Sequence, residues 1–565
     1  MLLSNMELLA TAPGGVAKLR ELILTLAVQG KLVPQDPADE PAGVLLQKIR
    51  AEKDRLIAEG KSKRDKPVAE IAEEEKPFGL PQGWEWVRLA ALAEFENGDR
   101  GSNYPSRSNF VEHGVAFINA GHLVDERIDY SDMNYITPQN FALLRSGKVQ
   151  RDDILYCLRG SLGKFAQVTE NSPGAIASSL VIIRLSVAAV APYAMQYLKS
   201  PLAASLIKRF DNGTAQPNLG AGDLAKFVVP LPPEAEQSRI VTRVEELMRL
   251  CDALEAKGRL EAAQHAQLVS TLLGALTASA TPEELAANWQ RVAQHFDLLL
   301  DRPEAIDALE QTLLQLAVRG LLVPQDPTDE PASALLQKIR AEKDRLIATG
   351  QIKRDKPLPP LTDEEKPFEL PVGWEWVRVG DVVELLNGYA FKSEWFKPAG
   401  VRLLRNVNIS HGHVDWSVPV MLDAIAAKSY EQFALRAGDI VLSLDRPIIS
   451  TGLKYAVIRD SDLPCLLLQR VARLTACACL SSEFLQLWLK SDLFVGTIDP
   501  GRSNGVPHIS TKQVAGLAFA LPPLAEQSRI VTRVTALRRL CADLRQRLAE
   551  RQSVQARLAE ALLIH

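Results

Sequence analysis

The longest regular pattern in this chain is a stripe of apolar residues with heptad spacing, present in two segments near residues 245 and 540. In the first segment the apolar residues recur at alternating steps of four and three, at Ile240, Val244, Leu247, Cys251 and Leu254. The second segment repeats and extends the stripe, at Ile530, Val534, Leu537, Cys541, Leu544 and Leu548. This spacing predicts two long helices of about 35 to 40 residues, roughly 50 to 60 Å each. We expect the helices to pair and to space two domains, and packing in an ordinary bundle is the alternative.

Shorter elements fill the rest of the chain. Apolar periodicity predicts helices over residues 16 to 29, 43 to 59, 306 to 319 and 333 to 349. Charged, proline-bearing connectors follow at 61 to 81 and 351 to 371. Short apolar runs typical of strands occur at 115 to 118, 153 to 158, 180 to 185, 438 to 444 and 466 to 474. Helical stretches near 193 to 210 and 483 to 494 complete two α+β segments.

Both connectors end in the sequence Gly-Trp-Glu-Trp. In the first copy Trp84 and Trp86 alternate with Glu85 and Val87, which is typical of a half-buried opening strand. A platform on which nucleic-acid bases stack is the alternative.

An internal repeat organises the whole chain. Residues 32 to 37, 45 to 58, 83 to 88 and 236 to 244 return unchanged at 322 to 327, 335 to 348, 373 to 378 and 526 to 534, always 290 positions later. We call these repeated segments the frame. Between them, residues 91 to 227 and 381 to 517 share only isolated points, such as Asn97-Gly98 with Asn387-Gly388. We call these two divergent segments the inserts.

Two copies with identical frames and different inserts indicate that the frames bind identical partners, while each insert recognises a different ligand. Ancient duplication followed by drift is the alternative. Drift, however, erodes frame and insert alike unless a core prevents it, and the unchanged run from 45 to 58 is mostly polar. The pattern therefore favours a functional reason for the repeat.

Composition restricts the function classes. The 565 residues are 47% hydrophobic and 24% charged, which is typical of a globular chain and not of a disordered or fibrous one. With 65 Lys and Arg against 69 Asp and Glu, the net charge of −4 gives no chain-wide positive field for binding nucleic acid. Six scattered cysteines indicate a reducing compartment, and the absence of a signal-like or spanning segment predicts a cytoplasmic protein.

Local polar turns in the inserts are the candidates for DNA contact, because base edges are read by Arg, Lys, Asn and Gln side chains. In the first insert they are Asn97, Arg100, Arg107, Asn119, Arg159, Ser161, Lys164 and Gln216. In the second they are Asn387, Lys392, Arg405, Asn406, Arg446, Lys454 and Asn504. Each alone is more typical of a solvated turn than of a DNA contact, and together they predict a reading face.

Motifs for catalysis are missing. The inserts and frames contain neither a glycine-rich methyltransferase loop nor the Asn/Asp-Pro-Pro-aromatic tetrad that such enzymes use. The Gly60-Lys61-Ser62 run has Arg55 where a nucleotide-binding loop needs its first glycine. His411 and His413 in a turn are a weak metal signal. We therefore expect no catalytic residue, no metal and no cofactor in this chain.

The motifs LVPQDP, LLQKIRAEKDRLIA, GWEWVR and LPP-x-x-EQSRIV, each present twice, resemble the specificity subunit of type I restriction-modification enzymes. The resemblance implies an α+β fold with two target recognition domains in tandem, joined by two long antiparallel conserved helices that act as a coiled-coil spacer. It implies that each domain reads one half of a bipartite, asymmetric sequence in double-stranded DNA.

The resemblance also implies partners. Two modification subunits would methylate adenine with S-adenosylmethionine, and restriction subunits would add an ATP-driven translocase and an endonuclease that uses Mg²⁺. Partner docking and the helix spacer would fall on Glu236, Gln237, Ile240, Val244, Leu247, Leu254, Glu526, Gln527, Ile530, Val534, Leu537 and Leu544. The runs 45 to 58 and 335 to 348 would share the docking role.

The expected domain organisation follows the repeat. A helical region over 1–82, a recognition domain over 83–230 and a long helix over 231–278 are followed by a linker with a second helical region over 279–372, a second recognition domain over 373–520 and a second long helix over 521–565. A coiled-coil adaptor whose inserts bind proteins is the alternative function. A self-contained methylating or cleaving enzyme is opposed by the missing motifs.

Overall fold

The computed structural model describes residues 12–60, 69–213, 216–279, 281–349, 358–449, 452–478, 480–498 and 508–564. The chain forms two units. The first comprises residues 1–260 and 552–565, and the second comprises residues 261–551. None of the helices in the described ranges is long and apolar enough to cross a membrane.

The first copy of the repeat is built from short strands between helices. Its helices are α1 (Gly15–Val28), α2 (Ala42–Ala58), α3 (Leu89–Leu92), α4 (Pro138–Leu143), α5 (Ala191–Lys199), α6 (Pro201–Phe210), α7 (Ala221–Ala225) and the long α8 (Glu234–Ala278). Its strands are β1 (Glu85–Arg88), β2 (Ala93–Asn97), β3 (Phe110–Val111), β4 (Val115–Ile118), β5 (Leu123–Val124), β6 (Arg127–Ile128), β7 (Asn134–Ile136), β8 (Ile154–Cys157), β9 (Phe165–Gln167), β10 (Gly174–Ile176), β11 (Leu180–Leu185) and β12 (Val228–Leu231).

Among the described residues, the second copy has the same order of frame elements, with two further helices at its start and one further hairpin in its insert. Its helices are α9 (Pro282–Gln294), α10 (Phe296–Leu299), α11 (Pro303–Val318), α12 (Ala332–Ala348), α13 (Val379–Val382), α14 (Ala424–Ala427), α15 (Ser482–Lys490), α16 (Asp492–Val495), α17 (Thr511–Ala515) and the long α18 (Leu524–Ile564). Its strands are β13 (Glu375–Arg378), β14 (Val383–Asn387), β15 (Phe396–Lys397), β16 (Val401–Leu404), β17 (His411–Gly412), β18 (Met421–Leu422), β19 (Ile440–Ser443), β20 (Ile448–Ile449), β21 (Gly452–Leu453), β22 (Tyr455–Val457), β23 (Cys465–Leu467), β24 (Val471–Ala476) and β25 (Ala518–Leu521).

Each insert contains two main sheets. In the first copy the strand orders are β2-β11-β8-β9 and β10-β4-β7-β3. In the second copy they are β14-β24-β19-β22-β17 and β15-β18-β16-β23. The first-named sheet of each copy is antiparallel through its first three strands. The predicted α+β class with two tandem domains is confirmed.

A two-stranded ribbon closes each insert at its base. Strand β1 pairs antiparallel with β12, so that Glu85 opposes Leu231, and β13 pairs with β25 in the same register. Each ribbon joins the Gly-Trp-Glu-Trp motif to the residues just before Leu-Pro-Pro. The predicted opening strand is confirmed, since Trp84 is 6% exposed and lies in the core instead of offering a stacking platform.

Both long helices are longer than the sequence predicts. The helix α8 has 45 residues and α18 has 41, so each spans about 60 to 70 Å. The heptad stripe is the buried face of each helix. Ile240, Val244 and Cys251 join the core around α1, while Cys541 and Leu548 join a cluster with α11.

Both interpretations of the stripe therefore hold in part. The stripe packs against shorter helices, as the bundle alternative expects. In the second unit, Val269 and Leu273 of α8 also share one cluster with Cys541 and Leu548 of α18, as expected for helices that pair.

Three predicted elements are wrong in detail because turns interrupt them. The helix predicted near 483 to 494 is divided at Ser491 into α15 and α16. The strand predicted over 466 to 474 is divided into β23 and β24, and Arg470 in the intervening turn has a φ of +72°. The helix predicted over 193 to 210 is interrupted at Ser200, whose hydroxyl caps α6 by accepting from the Ala203 amide. Proline at position 201 removes the amide that a continuous helix would need.

The short helices of the two copies carry opposite charges where they meet the long helices. Arg20 Nη2 of α1 lies 3.2 Å from Glu255 Oε2 of α8. At the positions 290 residues later the signs are exchanged, and Arg545 Nη1 of α18 lies 3.0 Å from Glu310 Oε1 of α11. These half-exposed ion pairs contribute little stability, about 0.2 to 1 kcal/mol each. Because the charges are exchanged between the two copies, each short helix is complementary in charge to the long helix of its own copy.

One buried carboxylate joins three frame motifs in each copy. Glu236 Oε2 accepts from Trp84 Nε1 at 2.9 Å, and its Oε1 accepts from Gln35 Nε2 at 2.7 Å. Burial raises the pKa of the Glu236 carboxyl, and the two donors oppose that shift. The second copy repeats this arrangement with Glu526, Trp374 and Gln325, at 2.9 Å for both hydrogen bonds.

We expect Glu236→Ala to lower the free energy of unfolding of the first unit by about 2 kcal/mol, because the substitution leaves the buried Trp84 indole N–H without an acceptor and removes one of the two acceptors of Gln35. Urea unfolding checks this. Glu245→Ala, at an exposed position on the same helix, is the control and should change the free energy by less than about 0.5 kcal/mol. Equal midpoints for the two variants would contradict the role of Glu236.

Candidate nucleic-acid interface

In the first insert, four strand ends meet at one edge of the sheet β2-β11-β8-β9. Strands β2 and β8 end there at Asn97 and Cys157, and β11 and β9 begin there at Leu180 and Phe165, since neighbouring strands are antiparallel. We call this edge, with its connecting turns, the first recognition edge. It carries the exposed candidates Asn97, Arg100, Arg159, Ser161 and Lys164.

Hydrogen bonds tie the turns of this edge together. The Leu158 amide donates to the Ser179 carbonyl at 2.8 Å, and the Leu219 amide donates to the Leu158 carbonyl at 2.9 Å. Arg159 Nε donates to Asn218 Oδ1 at 3.2 Å. Gln216 also lies here, because its Nε2 is 3.1 Å from the position that a Cβ on Gly160 would take.

The other two candidates of the first insert lie in different surroundings. Asn119 follows β4 and is half-buried, and its Oδ1 accepts from the Gly121 amide at 2.7 Å, so its side chain is used within its own turn. Arg107 is exposed in the short helical turn that precedes β3 of the other sheet.

The second insert has an equivalent edge. Strands β14 and β19 end at Asn387 and Ser443, and β24 begins beside them at Val471. We call this the second recognition edge. Asn387 Nδ2 donates to Thr511 Oγ1 at 2.9 Å, and Arg446 is exposed in the turn after β19.

Three further candidates of the second insert are supporting residues in the structure. Asn406 Oδ1 accepts from Ser443 Oγ at 2.7 Å and from Lys454 Nζ, while its Nδ2 donates to the Asp445 carbonyl at 3.0 Å. Lys454 is 8% exposed, and burial lowers its pKa. Arg405 is half-buried and donates to the Val418 carbonyl. Asn406 and Lys454 therefore brace the turn that follows β19, and Arg405 fastens the segment between β17 and β18.

The last two candidates are placed differently again. Lys392 is exposed, with its ammonium 5.9 Å from the centre of the Trp395 ring. Asn504 lies outside the described residues.

The sequence alone did not identify the charged cluster at the second recognition edge. Asp445 Oδ1 lies 2.8 Å from His508 Nδ1, and Asp445 Oδ2 lies 3.5 Å from Arg470 Nη1. These residues are up to 63 positions apart, and Arg470 fell inside a run interpreted as one continuous strand. The only local signal was the acidic residue beside Arg446.

Backbone hydrogen bonds identify equivalent positions in the two edges. In the second edge the Leu444 amide donates to the Arg470 carbonyl, and the Leu444 carbonyl accepts from the Ile509 amide. Leu158 makes the same two bonds in the first edge, with Ser179 and Leu219. Equivalent positions are therefore Arg159 and Asp445, Ser179 and Arg470, and Asn218 and His508. The same backbone thus presents different side-chain chemistry in the two copies.

The retained glycines Gly98 and Gly388 have a common structural reason. A Cβ on Gly98 would lie 2.6 Å from the Ala177 carbonyl oxygen, and a Cβ on Gly388 would lie 2.2 Å from that of Leu468. Only glycine lets the turn after β2 or β14 approach the backbone of the neighbouring turn so closely.

The residues expected to dock partners require a correction. Glu236, Gln237, Ile240 and Val244 are at most 2% exposed, as are Glu526, Gln527, Ile530 and Val534. Leu247, Leu254, Leu537 and Leu544 are half-buried. Interior side chains hold the long helices to the frame and do not form a surface that a partner can contact.

Comparison with known proteins identifies the family. The model described as "Type I restriction modification DNA specificity domain" matches residues 81–265 and 371–551. The chain belongs to this family. It is 46% identical over 562 residues to the type I restriction enzyme EcoAI specificity subunit of Escherichia coli, covering 97% of this chain and 93% of that relative.

Further type I specificity proteins are similar along most of the chain. The EcoEI specificity subunit of Escherichia coli is 34% identical over 572 residues, covering 97% of this chain and 93% of the relative. The solved HsdS subunit from Thermoanaerobacter tengcongensis is 18% identical with a TM-score of 0.41, covering 86% of this chain and 97% of that chain.

The family assignment confirms the predicted recognition of DNA, and a protein-binding adaptor is not favoured. The geometry agrees with that assignment. The exposed candidates of the first insert gather mostly at one polar edge, as expected of a surface that contacts DNA, and not around an exposed apolar patch.

We expect Gly98→Ala to disturb the first recognition edge, because the added methyl group would collide with the backbone at residue 177. The free energy of unfolding should fall by about 1 to 3 kcal/mol, and modification directed by the type I complex should fall with it. Gly222→Ala is the control, since a Cβ there meets nothing within 4 Å. Unfolding curves and the level of DNA modification in cells check the pair. Identical behaviour of the two variants would contradict the packing argument.

Proposed function

We propose that this chain is the sequence reader of a type I restriction-modification complex, in which the two recognition edges read the two halves of a bipartite, asymmetric DNA site. The observation that carries this proposal is the pair of equivalent edges with different side chains. At the same backbone position the first edge has Arg159 beside Asn218, and the second has Asp445 beside His508. Two equivalent backbones that carry different hydrogen-bond donors and acceptors suit two half-sites of different sequence.

The proposal assigns catalysis to partner subunits. Two modification subunits would bind S-adenosylmethionine and methylate adenine, and restriction subunits would use ATP and Mg²⁺ for translocation and cleavage. This chain would supply neither a catalytic residue nor a cofactor site. Its overall charge of −4 agrees with such a division, because a partner that surrounds the duplex can supply the nonspecific attraction to phosphates.

Two identical exposed faces on the frame are the proposed docking sites for two identical modification subunits. Helix α2 and helix α12 share every residue from position 45 to 58 and from 335 to 348. The shared exposed polar residues are Gln47, Lys48, Arg50, Asp54 and Arg55, with Gln337, Lys338, Arg340, Asp344 and Arg345 in the second copy. No core restrains such positions, so a common partner is the physical reason for their identity.

We expect Arg50→Glu and Arg340→Glu each to remove one modification subunit from the assembled complex, and the double variant to remove both, because a reversed charge opposes the partner's surface. Native mass spectrometry of the co-expressed subunits measures the stoichiometry. Arg259→Glu is the matched control, at an exposed position whose counterpart is Ala549. A double variant that retains both subunits would exclude this face as the docking site.

The proposed function is tested by mapping methylated adenines genome-wide in cells that express a modification subunit with and without this chain. We expect a bipartite asymmetric motif that is present only when the chain is present. If the complex assembles and no such motif appears, the proposed function is wrong.

A further inference from the structure

Each recognition edge contains one arginine that contacts a neighbouring polar side chain, but the two arginines lie at different strand ends. In the first edge Arg159 follows β8 and is held through Nε by Asn218 Oδ1. In the second edge Arg470 precedes β24, and its Nη1 forms an ion pair with Asp445 Oδ2 at 3.5 Å. The position equivalent to Arg159 is occupied by the acid, and the position equivalent to Arg470 is Ser179.

Both guanidinium groups are exposed. The Arg470 side chain is 61% exposed, although the Asp445 carboxylate beside it is only 22% exposed. Arg159 is exposed as well. An exposed arginine anchored by a less exposed acceptor loses little conformational entropy when it binds, so it suits a contact that must be directional.

The anchoring geometry leaves each arginine one parallel pair of N–H donors, which is what the O6 and N7 acceptors of guanine require. Asn218 engages only Nε of Arg159, so Nη1 and Nη2 remain as the pair. Asp445 lies at Nη1 of Arg470, so Nε and Nη2 remain as the pair there. Phosphates accept from any nearby donor and need no such orientation.

Arg470 also has an unusual backbone. Its φ of +72° is in the left-handed region, which costs a non-glycine residue free energy. Arg470 lies in the turn just before the strand pairing that begins at Val471, and its ion pair with Asp445 places its side chain next to the turn after β19. His508 lies on the other oxygen of the same carboxylate, 2.8 Å away.

We infer that Arg159 and Arg470 are the base-reading arginines of the two recognition domains and that each contacts a guanine in its own half-site through the major groove. This inference rests on the proposed function and adds to it the residues and the base. Asn218 and Asp445 are positioning residues that act through the arginines. The two half-sites are read from different strand ends of one shared scaffold.

The test maps methylated adenines genome-wide for the full complex carrying Arg159→Ala or Arg470→Ala. Each substitution should reduce the preference for guanine at one position by about 10-fold to 100-fold, since a bidentate contact provides discrimination of that size. The two variants should relax different halves of the motif. Asp445→Asn should relax the same position as Arg470→Ala, to a smaller extent.

Two controls separate base reading from phosphate contact and from misfolding. Lys164→Ala, at an exposed position of the first edge, should lower methylation at all sites without changing the motif. Arg159→Lys and Arg470→Lys retain the charge and most of the side chain, and they should relax the motif like the alanine variants because lysine lacks the planar fork.

The possible outcomes are distinct. Relaxation at a guanine in separate halves supports the inference. A wild-type bipartite motif without guanine in one half, an unchanged motif in both alanine variants, or relaxation of the same half by both variants would overturn it while leaving the proposed function intact. The absence of any bipartite motif with the wild-type complex would overturn both.

Discussion

A buried carboxylate holds each copy of the frame together. Glu236, in the first turn of the long helix, accepts hydrogen bonds from Trp84, just before the opening strand, and from Gln35, and Glu526 does the same in the second copy. Burial would by itself make a carboxylate costly, and the two donors offset that cost. Because the three partners come from three distant motifs, none can change without leaving a buried polar atom unpaired. This constraint explains why these motifs are repeated without change.

The carboxylate also explains how the inserts are free to differ. It fixes the start of the long helix against the opening strand, and the ribbon of β1 with β12 closes the insert at the same place. Next to the ribbon, Arg88 and its counterpart Arg378 fasten the connector, and the Arg378 guanidinium lowers the pKa of Glu365 to about 2. Once its two ends are held in this way, an insert can change its turns without disturbing the frame.

Within the inserts, the conserved feature is the backbone of one sheet edge and not its side chains. The Leu158 and Leu444 hydrogen bonds are the same, and Gly98 and Gly388 allow the same close approach of two turns. The side chains at equivalent positions carry opposite charges, positive at Arg159 and negative at Asp445. A scaffold of this kind can acquire a new DNA specificity through substitutions at a few turn positions, because the backbone that positions them is independent of their identity.

The sequence by itself determined the parts of this protein that depend on periodicity and repetition. The heptad stripes predicted both long helices, the 290-residue offset predicted two equal frames, and turn composition predicted Asn97, Arg100, Arg159 and Lys164 as exposed polar residues. These features are local, or they are identities that can be read along the chain.

Only the tertiary structure decided which polar residues face outward, because that depends on contacts between distant residues. Lys454 and Asn406 matched the candidate pattern but are used by the turn that they support. Arg470 and Asp445, 25 positions apart, were joined only when strand pairing brought two turns to one edge. The shared Glu236 carboxylate was likewise visible only once Trp84 and Gln35, 152 and 201 positions away, had folded onto it.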